Sequence, residues 1–237
     1  MTIFTGKAVV VTGAGTGIGR ATARAFAARG ASVLAVGRTA ATLDETAADH
    51  PGVHTFTADV TEAERVVDAA VAAFGRIDVL VNNAAVRSGD AMLETNLYAP
   101  IRLVEAALPH LKTTRGVVVN VSTAIGLRGW PLPGGELYAA LKSALESLTR
   151  SWAVQYAPHG VRVVAVAPGP IATPMHEQPD RSPEEAAALR ETLVAHVPLR
   201  RVGQPDEIAF WVVQLARPEA AYTTGVVLPV DGGALVG

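Results

Sequence analysis

The chain has 237 residues, of which 49% are hydrophobic and 18% are charged, a composition that suits one large globular domain or two small ones. Its formal net charge of −2 gives no reason to expect attraction to nucleic acid or to a membrane surface. Cysteine is absent, which excludes a disulfide framework, thiolate catalysis and a zinc–thiolate site.

Short apolar runs bounded by Gly, Pro, Asp or Asn alternate with alanine-rich stretches along the chain. The runs are rich in Val, Ile and Leu, which predicts strands. In the alanine-rich stretches, apolar residues recur at three- and four-residue spacing, which predicts helices. In chain order the predicted elements are strand 8–11, helix 18–28, strand 32–36, helix 40–48, strand 53–57, helix 62–74, strand 77–81, helix 94–111, strand 117–121, helix 136–155, strand 161–167, helices 183–195 and 205–215, and strand 226–230.

The predicted strands are continuous apolar runs rather than alternating ones, so we expect them to be covered on both faces, as in a parallel sheet. Strands and helices alternate without a linker or repeat. This pattern favours a single doubly wound α/β domain over residues 1–237, with a seven-stranded parallel sheet and helices on both faces. The loop at 168–183 is rich in turn residues, and such loops often carry function.

A glycine-rich turn, Thr-Gly-Ala-Gly-Thr-Gly-Ile-Gly at residues 12–19, joins the first predicted strand to the first predicted helix. This is the context that a phosphate site requires, because glycines allow close backbone approach and a helix N-terminus offers free N–H groups. The spacing is T-G-x-x-x-G-x-G rather than G-x-G-x-x-G. A glycine-rich turn that binds no ligand is the alternative.

Tyr138 and Lys142 lie four residues apart in a predicted helix, which places the phenol and the ammonium on one face. A nearby cation favours phenolate, so we expect the pKa of Tyr138 to fall toward a value useful for proton transfer. Such pairs often only pack or solvate a helix. The chain has only three lysines, Lys7, Lys112 and Lys142, so a lysine at this position is suggestive.

These motifs, in this order, resemble the short-chain dehydrogenase/reductase family, whose glycine turn has the longer spacing. The resemblance covers essentially the whole chain and implies a Rossmann-type fold with a nicotinamide dinucleotide cofactor. The other matching motifs are Asp59-Val60, Asn82-Asn83-Ala84, Asn96, Pro168-Gly169 with Thr173, and Asp231-Gly232-Gly233. The cofactor contacts that the resemblance implies are Gly13, Thr16, Gly17, Ile18, Gly19, Arg38, Asp59, Val60, Asn83, Tyr138, Lys142, Pro168, Gly169, Ile171 and Thr173.

The resemblance also implies catalytic roles. Tyr138 would exchange a proton with the substrate oxygen, Lys142 would lower the pKa of that tyrosine and hold the nicotinamide ribose, and Asn96 would position a water that relays protons. The hydroxyl that polarises the substrate carbonyl falls on Thr123 when counted from Gly126, with Ser122 as the alternative. Neighbouring residues at a strand end point to opposite sides, so only one of the two hydroxyls should serve.

The sequence departs from the family around the predicted pocket. The segment 82–96 is shorter than in most relatives, which puts the usual place of Asn96 in question. Trp130 and Leu132 form either an apolar pocket wall or part of the packing, and His176 is a candidate pocket residue because it follows Pro168-Gly169.

Residues 36–39, Val-Gly-Arg-Thr, lie at the end of the second predicted strand, where the two nicotinamide cofactors are distinguished. A carboxylate there binds the ribose 2′-hydroxyl of NAD, whereas an arginine accommodates a 2′-phosphate. Arg38 follows a glycine, and a guanidinium suits a phosphate. We therefore predict that NADP(H) is preferred over NAD(H). The alternative is that Arg38 is a solvated surface residue.

The sequence therefore predicts an NADP-dependent oxidoreductase acting on a small carbonyl compound or secondary alcohol. A non-catalytic NADP-binding sensor or scaffold is one alternative, and an isomerase or dehydratase that recycles its cofactor is another. The family resemblance implies a homo-oligomer, a tetramer in which the two long helices, here 94–111 and 136–155, pack between subunits.

The sequence shows neither a secretory signal nor a membrane-spanning segment. The first residues lack the basic stretch and apolar core of a secretory signal, and no apolar run approaches the length of a membrane span. We expect a cytoplasmic protein with no nucleic-acid or membrane partner. The six histidines show no metal-ligand spacing, so no metal site is predicted.

Overall fold

Seven parallel strands form the centre of the computed structural model, which describes residues 2–128, 135–176 and 182–237. The sheet order is β3-β2-β1-β4-β5-β6-β7, and each neighbouring pair is parallel. The predicted seven-stranded, doubly wound architecture is confirmed. The strands are β1 (Ala8–Thr12), β2 (Ser32–Gly37), β3 (Val53–Thr57), β4 (Val79–Asn82), β5 (Val117–Val121), β6 (Arg162–Pro168) and β7 (Val227–Val230).

The strand order reverses between β1 and β4, because β2 and β3 lie on one side of β1 and β4 to β7 lie on the other. Ligands of open α/β sheets bind at such a switch point, outside the carboxyl ends of the strands. The fold alone therefore directs attention to the loops that follow β1 and β4.

The helices lie close to their predicted bounds. They are α1 (Gly17–Ala27), α2 (Ala40–Ala47), α3 (Ala63–Phe74), α4 (Ala99–Thr114), α5 (Ile125–Arg128), α6 (Glu136–Tyr156), α7 (Pro183–Ala195) and α8 (Pro205–Ala216). Proline and glycine residues explain where several helices begin or end. Proline occupies the first turn of α7 and α8, where its missing N–H costs nothing, and Gly75 ends α3 with a φ of 70°.

Three local features differ from the predicted elements. A π-helical turn, Glu94–Tyr98, occupies the start of the predicted helix 94–111, and α4 begins only after it. The short helix α5 was not predicted. The fourth strand begins at Val79 rather than at residue 77, because Asp78 is used in a side-chain cluster at the start of the sheet.

Apolar residues on the two faces of the sheet belong to two separate cores. Val9 and Val11 of β1 face the core that includes Phe26 of α1, whereas Val10 faces the core that includes Leu103 of α4. Because both faces are buried, every residue of β1 has to be apolar or hydrogen-bonded. This is the physical reason for the continuous apolar runs in the sequence.

Asp78 joins the amino ends of two strands on the side of the sheet opposite the predicted site. Its carboxylate accepts hydrogen bonds from the Ala8 N–H at 2.9 Å, from Lys7 at 3.1 Å and from Arg76 at 2.7 and 2.8 Å. Burial acts to raise the pKa of Asp78, but these hydrogen bonds outweigh it, so the pKa is lowered. The ionised form is therefore favoured in the fold.

Within the described residues, no helix combines the length and apolar character needed to cross a membrane.

Asp78→Asn should lower the free energy of unfolding at pH 7 by about 1–3 kcal/mol, because the hydrogen bonds to a charged acceptor are weakened. Since the pKa of Asp78 is lowered in the fold, its contribution is complete above the ordinary value of 3.8 and is lost as pH falls through the lowered value. Urea unfolding at pH 7 and pH 3 measures the difference. Glu219→Gln, which removes an exposed ion pair with Arg217, is the control and should change little. An Asp78→Asn loss that is equal at both pH values would contradict the electrostatic account.

Candidate active site

The loops that follow β1, β4, β5 and β6 meet at the carboxyl edge of the sheet. The Ala14 N–H donates to Val36 O at 2.9 Å, which joins the loop after β1 to the end of β2, and the Ala124 N–H donates to Pro168 O at 2.8 Å, which joins the loop after β5 to the end of β6. The glycine turn also touches the loop after β6, since a Cβ on Gly17 would lie 3.0 Å from a methyl carbon of Thr173. The predicted cofactor and catalytic segments are thus brought to one edge.

The glycine turn fits a phosphate group. Gly13 has a φ of 63°, and a Cβ there would lie 2.8 Å from the Cα of Ala84, while a Cβ on Gly19 would overlap the carbonyl oxygen of Gly13. Thr16 is the N-cap of α1 but its side chain makes no capping hydrogen bond, and the first turn carries no acidic residue. The first N–H groups of α1, among them that of Ile18, therefore remain available to an anion.

Asn83 holds the glycine turn against the segment after β4. Its side-chain N–H donates to Thr12 O at 2.9 Å and to Gly13 O at 3.2 Å, and its backbone N–H donates to the Thr12 hydroxyl at 3.0 Å. The Ala84 N–H reaches the same hydroxyl at 3.1 Å. The side-chain amide nitrogen of Asn83 is therefore used in shaping the turn, which leaves its carbonyl oxygen and the backbone for other contacts.

Arg38 lies exposed at the end of β2 beside the glycine turn. A Cβ on the preceding Gly37 would be 3.8 Å from the backbone nitrogen of Gly15, which places β2 next to the turn. The Arg38 guanidinium makes no hydrogen bond or ion pair with any residue that the structure describes. The nearby acid Glu45 is already paired with Arg20 at 2.7 Å. A positive charge without a partner among the described residues thus lies at the position predicted to bind a 2′-phosphate.

The segment after β3 carries Asp59 and Val60. One carboxylate oxygen of Asp59 accepts from both the N–H and the hydroxyl of Thr61 at 2.9 Å, and Val60 is buried. The Ala58 N–H donates to Gly37 O at 3.0 Å, so this segment lies against the end of β2. The other Asp59 oxygen has no hydrogen-bond partner among the described residues, and Glu62 of the same turn accepts a hydrogen bond from the Asp59 N–H at 3.1 Å.

Pro168, Gly169, Ile171 and Thr173 follow β6. A Cβ on Gly169 would lie 2.7 Å from the Cα of Asp231, so only glycine allows this approach. Ile171 is buried and forms an isolated bridge with Gly203. Among the other pocket predictions, Trp130 and Leu132 lie outside the described residues, and His176 ends the short helical turn Pro174–His176.

Lys142 lies on α6 and is only 2% exposed. Its ammonium donates a 2.7 Å hydrogen bond to the carbonyl oxygen of Val121, the last residue of β5. Burial lowers the pKa of Lys142 to about 8, although Glu146 acts in the opposite direction. The Lys142 Nζ atom lies 5.8 Å from the ring centroid of Tyr138, one helical turn earlier. The structure therefore brings the two predicted residues together.

The predicted lowering of the Tyr138 pKa is wrong for the protein as described. Burial raises the pKa of Tyr138 to about 12, and the positive charge of Arg87 opposes this only in part. Lys142 does not produce the expected effect because its ammonium is itself desolvated and is bonded to Val121 O, over the ring rather than at the hydroxyl. The phenol is thus fully protonated at neutral pH.

The two candidate hydroxyls at the end of β5 have different surroundings. The Ser122 hydroxyl donates to Oε1 of Glu146 at 2.6 Å and lies 3.3 Å from the carbonyl oxygen of Lys142. The Thr123 hydroxyl accepts only a long bond, 3.4 Å, from the Ile125 N–H, and its own proton has no acceptor among the described residues. The structure therefore leaves Thr123 able to donate to a bound molecule, whereas Ser122 is occupied.

Asn96 is fully buried in the π-helical turn before α4. Its side chain accepts from the Val86 N–H at 2.9 Å and donates to Val86 O at 2.7 Å. Both ends of the amide are therefore used to hold the short segment after β4. The water that the family resemblance implies at Asn96 stays a prediction, because each end of this amide already makes one hydrogen bond to Val86.

Two residues near the Tyr–Lys pair were not predicted from the sequence. Arg87 follows the clamped Val86 and acts electrostatically on Tyr138. Glu146 is buried one helical turn beyond Lys142, and its carboxylate accepts a hydrogen bond from the Ser122 hydroxyl. The four-residue spacing of Tyr138, Lys142 and Glu146 was a signal that could have identified Glu146. Arg87 lies in the segment that departs from the family pattern, and nothing in its spacing indicated it.

The doubly wound fold, the phosphate-fitting turn and the adjacent Tyr–Lys pair define a dinucleotide-binding α/β protein. A family model described as enoyl-(acyl carrier protein) reductase matches residues 13–234. The 3-oxoacyl-(acyl-carrier-protein) reductase of Thermotoga maritima is 37% identical over 250 residues, covering 98% of each chain. L-fucose dehydrogenase of Bos taurus is 37% identical over 254 residues, covering 100% of this chain and 92% of the relative.

A solved structure of a related reductase has the same fold as this chain. The 3-ketoacyl-(acyl-carrier-protein) reductase from Brucella melitensis, complexed with NADH, superposes with a TM-score of 0.87 at 29% identity and covers 98% of this chain and 99% of that one. The chain belongs to the short-chain dehydrogenase/reductase family of oxidoreductases.

Proposed function

We propose that this protein is an NADP(H)-dependent oxidoreductase that interconverts a carbonyl compound and a secondary alcohol, with Tyr138 as the general acid and base. The observation that carries the proposal is the meeting of Tyr138, Lys142 and the uncommitted Thr123 hydroxyl at the sheet edge that also holds the glycine turn. Family membership and the NADH-bound relative support a nicotinamide cofactor. When bound, the nicotinamide would supply or accept the hydride.

Three side chains would hold the substrate and transfer the proton. The Thr123 hydroxyl donates a hydrogen bond to the substrate oxygen and holds it beside Tyr138. Tyr138 then donates its proton to that oxygen as the alcohol forms. With a pKa near 12, the phenol carries this proton throughout the neutral range, which suits the direction of reduction. Lys142, protonated below about pH 8, would hold the nicotinamide ribose, and its ammonium keeps a positive charge 5.8 Å from the ring centroid of Tyr138.

The glycine turn, with Thr16, Gly17, Ile18 and Gly19, would hold the pyrophosphate through backbone N–H groups. Asp59 and Val60 would contact the adenine, and the loop from Pro168 to Thr173 would cover the nicotinamide end. Arg38 would bind the 2′-phosphate of NADP(H), because its guanidinium has no partner among the described residues and no acid at the end of β2 repels the phosphate.

We also propose that the protein is a cytoplasmic homotetramer. The side chains of Phe210 and Trp211 on α8 are exposed and apolar, and they are suited to contact between subunits.

Tyr138→Phe removes only the hydroxyl and should lower kcat for NADPH-dependent carbonyl reduction by about 10²–10⁴-fold, the usual contribution of general acid catalysis. NADPH oxidation across a panel of keto-acyl thioesters, sugars, steroids and simple ketones measures it. Binding of NADPH, followed by its fluorescence, should be nearly unchanged and serves as the control. Tight NADPH binding by the unaltered protein without turnover of any carbonyl would instead indicate a sensor, and conversion without net NADPH consumption would indicate a cofactor-recycling isomerase or dehydratase.

Thr123→Val keeps the side-chain volume and removes the hydroxyl, so it should slow turnover by about 10²-fold, as expected for loss of one hydrogen-bond donor to the reacting oxygen. Ser122→Ala is the matched variant one residue earlier and should have a much smaller effect on kcat, because the Ser122 hydroxyl is bonded to Glu146. Steady-state kinetics on one substrate compares them. If Ser122→Ala is the more damaging change, the substrate-polarising hydroxyl is wrongly assigned.

Arg38→Ala should raise KM for NADPH by about 10–100-fold, since one charge-assisted contact to phosphate contributes about 1.5–3 kcal/mol. KM for NADH should change little, because NADH has no 2′-phosphate. Measuring both constants with the same carbonyl substrate makes NADH the internal control. Equal effects on the two cofactors would mean that Arg38 does not read the 2′-phosphate.

A further inference from the structure

A third ionisable side chain continues the stripe formed by Tyr138 and Lys142 on α6. Glu146 lies four residues beyond Lys142 and is only 1% exposed. A buried carboxylate is costly unless it is paired or hydrogen-bonded, so its presence calls for a compensating group. The hydrogen bond from Ser122, at 2.6 Å, supplies part of that compensation.

Glu146 and Lys142 are bound to consecutive residues of the same strand end. Lys142 donates to the carbonyl oxygen of Val121, and Glu146 accepts from the hydroxyl of Ser122. The Ser122 hydroxyl also lies 3.3 Å from the backbone carbonyl oxygen of Lys142. The ammonium and the carboxylate are thereby both held at the end of β5, by Val121 and by Ser122, which directly follows the strand and precedes Thr123.

The charges around this pair are unequal. The negative charge of Glu146 acts to raise the pKa of Lys142. Burial raises the pKa of Glu146 itself, and the positive charges of Lys142 and Arg150 oppose this rise only in part. On the π-helical turn packed against α6, Glu94 is already paired with Arg102 at 2.9 Å.

Two tyrosines, Tyr138 and Tyr98, also lie in this region of the described fold. Tyr138 lies in the preceding turn of α6, where Arg87 of the segment after β4 acts on it. The ring of Tyr98, on the π-helical turn, lies against the guanidinium of Arg102. Among the described residues, no other acid is placed to balance the buried ammonium.

We propose that Glu146 is a positioning residue that keeps Lys142 protonated and fixed at the end of β5, without touching substrate or cofactor. This role deepens the proposed function, since it rests on the use of Lys142 beside Tyr138. Without the negative charge, the buried ammonium would release its proton closer to neutral pH. The site would then lose, at working pH, the positive charge that Lys142 holds beside Tyr138.

The small number of lysines allows a direct test that does not require activity. With ¹³Cε-labelled lysine the protein should give three side-chain signals in NMR spectra, from Lys7, Lys112 and Lys142, and Lys142→Arg assigns the last. Glu146→Gln keeps the volume and the acceptor for Ser122 but removes the charge. The titration midpoint of Lys142 should fall by about one pH unit, as for loss of a nearby opposite charge, while those of Lys7 and Lys112 stay in place.

Two variants control this measurement. Glu105→Gln removes an equal charge from an exposed position on α4 and should leave the Lys142 midpoint unchanged. Glu146→Asp retains the charge and should restore the midpoint toward that of the unaltered protein. An unchanged midpoint in Glu146→Gln, or an equal fall in Glu105→Gln, overturns the proposal. If Glu146→Gln does not fold, Lys142→Met provides the reciprocal test: the carboxyl of Glu146 must then titrate at higher pH, and an unchanged titration overturns the proposal.

Kinetics separate this proposal from the proposed function. In Glu146→Gln the alkaline limb of the kcat–pH profile for carbonyl reduction should move to lower pH together with the Lys142 midpoint, whereas merely weakened folding would lower kcat at every pH. A protein that turns over no carbonyl, but whose Lys142 midpoint falls in Glu146→Gln, refutes the proposed function and supports the coupling. A protein that is active but shows no movement of either midpoint or limb refutes the coupling alone.

Discussion

Burial of the sheet on both faces is the constraint on which the rest of the structure depends. Unpaired polar and charged groups are costly in both cores, which favours placing ionisable chemistry at the two edges where the strands end. At the amino edge Asp78 closes a structural cluster with Lys7 and Arg76. At the carboxyl edge the glycine turn, Lys142 and the end of β5 come together. The division between a stabilising edge and a reactive edge follows from the layering itself.

The structure could be predicted from the sequence wherever a local pattern of residues determines the local structure. Continuous valine runs predicted the parallel strands, and the spacing of Tyr138 and Lys142 predicted their shared helix face. It failed where the outcome depends on burial in three dimensions. The pKa of Tyr138 rises because the phenol is desolvated, which no spacing reveals, and the choice between Ser122 and Thr123 depends on which hydroxyl meets Glu146. The π-helical turn likewise follows from the clamp between Asn96 and Val86.

Holding an amine in this environment reduces stability. The pKa of Lys142 falls from 10.5 to about 8, so at neutral pH its burial costs roughly 3 kcal/mol relative to the unfolded chain. This cost is complete below pH 8 and diminishes as pH rises toward 10.5, where the unfolded chain also loses the proton. The hydrogen bond to Val121 and the nearby carboxylate of Glu146 limit the loss. A residue retained at such a cost is more readily explained by chemistry than by packing.

The approach of Gly13 to Ala84 limits how this chain can change over time. A Cβ on Gly13 would lie 2.8 Å from the Cα of Ala84, so the turn after β1 and the segment after β4 share one space. Gly13 cannot accept a larger residue unless the backbone at Ala84 withdraws. Asn83 and Thr12 tie the same two segments together. Substitutions at Gly13 and in the segment after β4 should therefore change together, whereas the exposed end of β2, which carries Arg38, carries no such packing constraint.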